Sequence, residues 1–364
     1  MNVSVPFIVD EEQSGQRLDI WLTAQWPALS RSVIQKYILS KDIYVNDKPA
    51  QASTLLKAGD EVICKNPDSF NSLLEHALTQ KPSLWQPENM ELDIVFEDDY
   101  LLVINKPPGI IIHPGAGRQQ EKTLIQGVMA YLGIGSSLQP DVPPRCGLVH
   151  RLDKDTSGVI VIAKDGLTHK DLTQQFHQRT TYREYVALLD GCLSQPAIRY
   201  ESYLYRCPTS RTRYTSMEID EAKKTYNASL PAYFHYACSQ FVQKVSFAKR
   251  FDLCTIKLST GRTHQIRVHA QHLKTPVLGD KTYKRHRKCR YGAFLKEMGL
   301  SSGSLSTSTD TQPLQLSGQL LHARYLGFKH PHHKTHLTFS SPLPDEFKTV
   351  LKTLYPYAHS PHRD

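Results

Sequence analysis

Two short runs of apolar residues at helical spacing lie near the start of the chain. Leu18, Trp21 and Leu22 stand at i, i+3 and i+4, and a second run with the same spacing follows Pro27. Such spacing places the apolar side chains on one side of a helix. Runs rich in β-branched residues at 43–45 and 62–64 then predict short strands. The pattern predicts a compact module of two helices and short strands within residues 1–65.

A polar stretch at 66–91 contains three prolines and is predicted to be a linker. After it, continuous apolar runs at 101–104, 159–163 and 186–189 are typical of buried strands. Leu124 and Val128 belong to an apolar stripe of helical spacing. Because the strands do not alternate regularly with helices, the second domain, residues 92–350, fits the α+β class.

The hydrophobic pattern is interrupted at 284–318. This stretch starts with a basic block and becomes rich in serine and threonine, so it is predicted to be a mobile insertion in a loop. Residues 351–364 are predicted to be a tail.

Composition and charge narrow the classes of protein. The chain has 364 residues, and its 44 Lys and Arg against 35 Asp and Glu give a net charge of +9, which favours polyanionic partners. Seven scattered cysteines without a Cys-x-x-Cys pair argue against a disulfide framework or a zinc site. No apolar stretch has the length of a bilayer and no leader pattern opens the chain, so a cytoplasmic protein without a membrane partner is expected.

The stretch His150–Gly158 is the strongest candidate for chemistry. It places Asp153, Asp155 and several basic and hydroxyl side chains between two apolar runs, and a glycine closes it. A polar loop delivered by strands is one way in which a scaffold presents a reactive side chain. The simpler alternative is a solvated turn whose charges balance locally.

Several motifs resemble one family. The order His150-Arg151-Leu152-Asp153-x-x-Thr156-Ser157-Gly158 resembles the signature of the RluA-type pseudouridine synthases, which isomerise uridine to pseudouridine in structured RNA. Asn105-Lys106-Pro107-x-Gly109, the basic-x-Tyr pattern at Arg183–Tyr185, and the run Gly261–His269 are similar to further motifs of that family. The resemblance implies an α+β catalytic domain with a mixed, largely antiparallel sheet. The isomerisation imports no group and oxidises nothing, so neither a cofactor nor a metal is expected.

The resemblance also implies the catalytic residues. Asp153 is expected to assist departure of the base from the sugar, with Asp155 as the alternative. Tyr185 is expected to face the target base and to take the proton from its carbon 5. Arg267 is expected to hold Asp153 in a fixed, ionised geometry. In the run that contains it, Ile266 and Val268 alternate with Arg267 as in a strand, so its side chain should point away from the core.

RNA contacts are expected in both domains. In the catalytic domain the resemblance implies contacts at His150, Arg151, Arg262, His264 and Lys106, although Lys106 could equally serve to fix its turn. In the first domain, the order Arg17-Leu18-Asp19, Ser30-Arg31-Ser32, Val45-Asn46-Asp47 and Lys57-x-Gly59-Asp60 resembles an S4-type RNA-binding domain. The residues implied for RNA contact there are Arg17, Arg31, Ser32, Gln35 and Lys36.

Family analogy favours large-subunit (23S) ribosomal RNA, or its precursor, as the substrate of a monomeric enzyme. Transfer RNA is an open alternative, and so is a non-catalytic ribosomal-RNA-binding or ribosome-assembly protein. A hydrolase that uses Asp153 and Asp155 is disfavoured, because no metal ligands accompany them. The histidines at 330–336 match no standard metal spacing and favour a solvated hairpin.

Overall fold

A computed structural model describes residues 6–26, 31–66, 86–113, 121–135, 142–210, 212–226, 230–231, 233–283, 290–299 and 316–359. It divides the chain into two compact units, Met1–Leu84 and Trp85–Asp364. Most of the predicted linker, residues 67–85, lies outside the described residues.

The α-helices are α1 (Leu18–Gln25), α2 (Arg31–Leu39), α3 (Leu124–Tyr131), α4 (Gly166–Gln178), α5 (Ile219–Tyr226), α6 (Gln265–His272), α7 (Arg290–Glu297) and α8 (Asp345–Leu354). The strands are β1 (Phe7–Ile8), β2 (Ile43–Val45), β3 (Lys48–Pro49), β4 (Glu61–Cys64), β5 (Ile94–Glu97), β6 (Leu101–Lys106), β7 (Ser157–Ala163), β8 (Tyr182–Asp190), β9 (Ala197–Arg206), β10 (Tyr214–Glu218), β11 (His235–Phe247), β12 (Phe251–Leu258), β13 (Leu321–Lys329), β14 (His336–Ser340) and β15 (Ala358–His359).

In the first unit, α1 and α2 carry the apolar stripes that the sequence pattern predicts. Leu18, Trp21, Leu22, Ile34 and Ile38 are all buried in one core. The strands of this unit form an antiparallel sheet in the order β1-β4-β2-β3. Burial of these side chains gives the unit its own hydrophobic core.

The second unit is built on an 11-stranded sheet in the order β10-β9-β11-β12-β8-β13-β7-β6-β5, with β14 paired to β13 and β15 to β11. Among the described strands, β7 and β13 form the parallel pair and the other pairs are antiparallel. The expected α+β class with a mixed, largely antiparallel sheet is therefore confirmed.

Gly158 determines how closely β7 and β13 approach each other. All seven residues of β7 are buried. At Gly158, φ is +119° and an added Cβ would lie 2.2 Å from the carbonyl oxygen of Ala323 on β13. Only glycine fits this approach without displacing backbone. The glycine that closes the signature therefore fixes where the loop before it enters the sheet.

Three sequence-based predictions differ from the structure at the level of elements. The predicted tail, 351–364, instead begins inside α8, where Leu351 and Leu354 are buried, and its Ala358–His359 form β15, which pairs with β11. The run that contains Arg267 is helix α6 and not an alternating strand, and Arg267 is buried in it, 6% exposed, instead of pointing away from the core. The predicted mobile insertion contains helix α7, whose Tyr291 and Phe294 are fully buried. Residues 284–289 and 300–315 of that stretch lie outside the described residues.

The turn between β13 and β14 is solvated at His332, His333 and His336, as expected, but not at His330. His330 is 1% exposed. Its Nδ1 accepts hydrogen bonds from the backbone N–H groups of His332 and His333 at 3.1 and 3.0 Å, and its Nε2 lies 2.9 Å from Asp98 Oδ2. Both ring nitrogens thus stabilise the turn. Potential ligand atoms of Asp98, His330 and His333 lie within 4.8 Å of one another, but these hydrogen bonds already occupy His330.

Candidate active site

The signature loop is held from beneath by a buried lysine. Lys106 at the end of β6 is fully buried, and its Nζ donates to the carbonyl oxygens of Lys154 at 2.8 Å and Pro107 at 2.7 Å. Burial lowers the pKa of Lys106 to about 7, although the nearby charges of Asp155 and Asp153 oppose this. Its placement favours the turn-fixing role and not an RNA contact.

His150 anchors the start of the loop. Its Nε2 accepts a hydrogen bond from the Val161 N–H at 3.0 Å, and its ring stacks on Phe176 at 4.6 Å. Burial, together with the charge of Arg183, lowers the pKa of His150 to about 3. The ring is therefore neutral and structural in this position. Arg151 beside it is exposed and donates to Thr263 Oγ1 at 2.8 Å, which leaves it at the surface of the site.

Asp153 and Arg267 lie in direct contact, 114 residues apart in sequence. Nη1 of Arg267 donates to Oδ2 of Asp153 at 2.9 Å. The Asp153 side chain is 21% exposed, while that of Arg267 is 7% exposed. The carboxylate therefore reaches a solvent-accessible cleft and is held by a guanidinium behind it. Asp155, the alternative carboxylate, is not among the residues that line this cleft.

Asp280 fixes Arg267 in turn. Nε and Nη2 of Arg267 donate to the two carboxylate oxygens of Asp280 at 2.6 and 3.0 Å. Burial opposes the positive charge of Arg267, but the hydrogen bonds and charge of Asp280, and then Asp153, raise the pKa of Arg267 above its ordinary value. Asp280 also accepts from the N–H groups of Thr282 and Tyr283. A bidentate pair of this kind fixes the plane of the guanidinium.

His264 approaches the other oxygen of Asp153. Its Nε2 lies 3.9 Å from Asp153 Oδ1, and its Nδ1 lies 2.8 Å from the Tyr283 hydroxyl. That hydroxyl accepts from the Tyr214 N–H at 2.9 Å, so its own proton is free to be donated to Nδ1. Burial lowers the pKa of His264, with Asp153 opposing. The network thus assigns the ring proton to Nε2, which faces Asp153.

Tyr185 on β8 lines the same cleft as Asp153. Burial is the main cause that raises the pKa of Tyr185; Asp153 adds to the rise and Arg183 opposes it. The phenol is therefore protonated at neutral pH. Its ring packs against two of the buried clusters of this unit, which fixes its orientation.

The cleft has a volume of about 710 Å³ and is strongly cationic. Among the described residues that line it, Asp153 is the only carboxylate. Its arginines are Arg145, Arg151, Arg179, Arg183, Arg262 and Arg267. The excess of positive charge favours an anionic ligand. Asp153 is the carboxylate with which such a ligand could react.

The cleft is lined by residues that the sequence predicted for the site, among them Asp153, Tyr185, Arg267, Arg262 and His264. Sequence reasoning missed two residues. Asp280 follows Leu278-Gly279 in a run that belongs to none of the motifs on which the sequence-based prediction rests. Arg183 was read only as the basic member of its motif.

In the first unit, the predicted RNA contacts differ in their surroundings. Arg17 donates to Asp19 at 3.1 Å, and Gln35 donates to the same buried carboxylate at 2.7 Å. Lys36 is exposed. Arg31 and Ser32 begin α2, but their side chains lie outside the described residues. Gln35 thus links α2 to α1 through Asp19, Arg17 binds the same carboxylate at the start of α1, and Lys36 is available at the surface.

No helix in the described ranges combines the length and the apolar character that crossing a bilayer would need.

Known proteins resemble both units. A model of the RNA pseudouridylate synthase family matches residues 100–272, and a model of the S4 domain matches residues 16–62. RNA pseudouridine synthase 2, chloroplastic, of Oryza sativa subsp. japonica is 32% identical over 94% of this chain and 80% of its own length. Ribosomal large subunit pseudouridine synthase D of Buchnera aphidicola subsp. Schizaphis graminum is 31% identical over 96% of this chain and 97% of its own.

A solved structure supports the fold. Human RNA pseudouridylate synthase domain containing 4 superposes with a TM-score of 0.52 at 23% identity, covering 74% of this chain and 94% of that one. The family model matches the domain that carries the cleft, and relatives above 30% identity match more than nine tenths of this chain. The chain therefore belongs to the RNA pseudouridine synthase family.

Proposed function

We propose that Asp153 is the carboxylate that frees uracil from the ribose of a flipped-out uridine, and that Arg267 positions it. The observation that carries this proposal is the chain of contacts Asp280–Arg267–Asp153 at the cationic cleft. One oxygen of Asp153 is occupied by Arg267, and the other faces His264 at 3.9 Å. A buried, doubly paired guanidinium gives the carboxylate a fixed direction.

The reaction needs one bond to break and another to form. The bond from uracil N1 to ribose C1′ breaks, the freed base turns, and carbon 5 bonds to C1′. The proton on carbon 5 is then lost and N1 gains one. A base inside a duplex is out of reach of a side chain, so the uridine must leave its stack first. The exposed Arg151 at the surface of the site is suited to contact the RNA strand that remains.

Tyr185 is assigned to the uracil ring. Because its pKa is raised, the phenol is a poor proton acceptor at neutral pH. We therefore favour a packing role against the base over the expected removal of the proton from carbon 5. This assignment separates two variants: Tyr185→Phe should retain most of the activity, whereas Tyr185→Ala should lose at least about 100-fold in kcat/KM through misplacement of the base.

The proposed substrate is large-subunit ribosomal RNA. Relatives that match this chain over nearly their full length are named ribosomal large subunit pseudouridine synthase D, and the S4 domain matched at residues 16–62 supplies a second RNA-binding unit. Action as a cytoplasmic monomer stays a prediction.

The test is release of tritium from ribosomal RNA that carries [5-³H]uridine. The wild-type chain should release tritium from a small number of sites, and Asp153→Asn should release none while still binding the RNA. Asp155→Asn is the matched control, because Asp155 does not line the cleft. Equal release by Asp153→Asn and the wild type would remove Asp153 from the mechanism. Absence of release from both ribosomal and transfer RNA by the wild type would remove the substrate assignment.

A further inference from the structure

Arg183 is a cleft residue that the mechanism above does not use. It lies two residues before Tyr185 on β8, so both side chains project from the same face of the strand, and both line the cleft. Burial, and then the charge of Arg179, lower the pKa of Arg183, while Tyr185 opposes them. In the part of the chain that the structure describes, its buried Nε–H has no hydrogen-bond partner. An unsatisfied, desolvated donor of this kind is costly unless a ligand completes it.

The neighbouring acid is turned away from Arg183. Glu184 lies on the opposite face of β8, where it accepts from the Tyr182 hydroxyl at 2.6 Å and lies 4.0 Å from Lys257 Nζ. Asp153 is the only acid among the described lining residues, and Arg267 already binds it. The cleft therefore contains positive charge that no carboxylate among its described lining residues balances.

Two further arginines belong to the same cluster. Arg179 ends α4 in the left-handed conformation, with φ 62°, where glycine is the usual residue. Arg262 donates through Nε to the carbonyl oxygen of Tyr236 at 3.2 Å. Burial and the charge of Arg179 lower the pKa of Arg262, as they do that of Arg183. The charge of Arg179 thus acts on both Arg183 and Arg262, and an anion bound next to Arg179 would relieve this repulsion.

The packing around Arg183 leaves a defined space for its guanidinium. The group lies 5.7 Å from the centre of the Phe176 ring, and that ring stacks on His150. Gly261 also lies next to this group, because an added Cβ there would come within 2.4 Å of Arg183 Nη1. The ring and the glycine thus leave room for the planar group in the cleft.

We propose that Arg183, Arg179 and Arg262 form a subsite for an RNA phosphate next to the flipped-out uridine. A phosphodiester supplies the charge and the acceptor oxygens that the three guanidiniums lack, and Arg183 can bind it through two parallel hydrogen bonds. That the phosphate belongs to RNA rests on the proposed function. The subsite then sets the distance between the strand and Asp153, so Arg183 is a substrate-positioning residue.

The first test measures RNA binding and thermal stability in the full-length chain. In an Asp153→Asn background, Arg183→Met should weaken binding of the ribosomal RNA fragment about 10- to 100-fold. It should also reduce the slope of log affinity against log salt by about 0.7 to 0.9. Because Arg183 is a half-buried charge with an unsatisfied buried Nε–H and no balancing carboxylate among the described lining residues, the melting temperature of Arg183→Met should equal or exceed that of the parent. A purely structural arginine would show the reverse: a lower melting temperature with unchanged binding, which would overturn the proposal.

Matched variants sharpen this test. Arg250→Met removes an exposed arginine that is paired with Glu297 outside the cleft, and its affinity should stay within about twofold. Arg183→Lys keeps the charge but not the planar fork, so its affinity should lie between those of the parent and Arg183→Met. An equal loss in Arg250→Met and Arg183→Met would overturn the proposal.

The second test changes the RNA as well as the protein, so a general folding defect of a variant would affect every RNA position alike. Each phosphate flanking the modified uridine is replaced in turn by an uncharged methylphosphonate, and binding is measured with Arg183 present and absent. One position should weaken binding to the parent about 10-fold or more and should weaken binding to Arg183→Met clearly less, because only Arg179 and Arg262 remain there to contact that phosphate. Equal effects at every position in both proteins would overturn the subsite. Tritium release is measured separately, so a failure of the proposed function is distinguished from a failure of the subsite.

Discussion

At the scale of single residues, the candidate catalytic carboxylate depends on an acid that it does not touch. Asp280 binds two of the three nitrogens of the Arg267 guanidinium and leaves Nη1 for Asp153. Without Asp280, Arg267 would be a buried cation free to rotate and present two of its three nitrogens to Asp153. The direction of the Asp153 carboxylate would then change although its charge would not.

We therefore predict that Asp280→Asn lowers kcat about 10- to 100-fold, the loss expected for a charge-assisted hydrogen bond, with a smaller effect on KM. It should also destabilise the fold by about 3 kcal/mol or more, because one partner of a buried pair is lost. Steady-state tritium release and urea unfolding measure the two effects. Asp345→Asn, which removes an exposed acid paired with Lys348, is the control. A kcat for Asp280→Asn equal to that of the control would contradict the prediction.

The sequence predicted the residues that local motifs carry and missed those that long-range packing creates. Asp153, Tyr185 and Arg267 each lie in a sequence motif whose residue order resembles that of the family, so the motif predicts them. The role of Asp280 depends on a turn after α6 that brings its carboxylate back to Arg267, and the unbalanced charge of Arg183 depends on Glu184 facing the other way. Neither property can be read from spacing alone, because both need the contacts of the folded chain.

At the scale of elements, helix α7 is the clearest case of tertiary contacts overriding composition. Its neighbours in sequence are basic or rich in serine and threonine, which predicted a mobile loop. Tyr291, Phe294 and Leu295 nevertheless pack into the cluster that contains Phe251 and Phe347. A single helical turn of buried aromatic and aliphatic side chains is enough to dock a short helix.

Helix α6 shows a different limit of sequence reasoning. Its first six residues are all buried, so neither a period of two nor one of 3.6 is visible in the burial pattern. A short segment of this kind cannot be assigned by periodicity. His264 precedes the helix with φ 57° and ends the turn from β12. The apolar pattern of the sequence does not predict this change in the direction of the chain.

Removing the anchor of α7 should test whether the helix is part of the folded core. We predict that Phe294→Ala destabilises the chain by about 3–5 kcal/mol, since a fully buried ring is replaced by a cavity. Lys296→Ala, on an exposed position of the same helix, should stay within about 0.5 kcal/mol of the parent. Urea unfolding monitored by fluorescence gives both values. A loss below about 1 kcal/mol for Phe294→Ala would restore the original prediction of a loosely held insertion.

At the scale of the whole molecule, buried histidines link stability to pH. His269 and His322 are fully buried, and burial lowers the pKa of His269 to about 3 and of His322 to about 4. In the unfolded chain both titrate near an ordinary value of about 6.5. Their contribution to stability is therefore complete above about pH 6.5 and is lost as pH falls, because the unfolded state then binds protons that the folded state does not.

We predict that the free energy of unfolding falls by about 4 kcal/mol for each unit by which pH drops near pH 5, with about 1.4 kcal/mol per unit from each of His150, His269 and His322, whose pKa values burial lowers. His269→Gln should reduce this slope by about a third, whatever its effect on stability at pH 7. His336→Gln, an exposed position, should keep the slope of the parent. Urea unfolding between pH 4.5 and 7.5 measures the slope. An unchanged slope in His269→Gln would show that its burial does not control the acid response.

The last prediction concerns the two units. The first has its own core around Trp21 and Leu22, and the described residues that line the cleft belong to the second. Removal of residues 1–65 should therefore leave the cooperative unfolding of the second unit intact while lowering affinity for the ribosomal RNA fragment. The slope of log affinity against log salt should also fall, because exposed basic groups such as Lys36 are lost.

The comparison with Lys36→Gln in the full chain shows how much of that loss one surface charge accounts for; the slope should change by at most about 0.9. The truncated protein should still release tritium when RNA is supplied at a concentration that compensates for the weaker binding. This outcome would place the catalytic chemistry in the second unit and the additional RNA affinity in the first. A truncated chain that fails to unfold cooperatively would mean that the second unit needs the first for its stability.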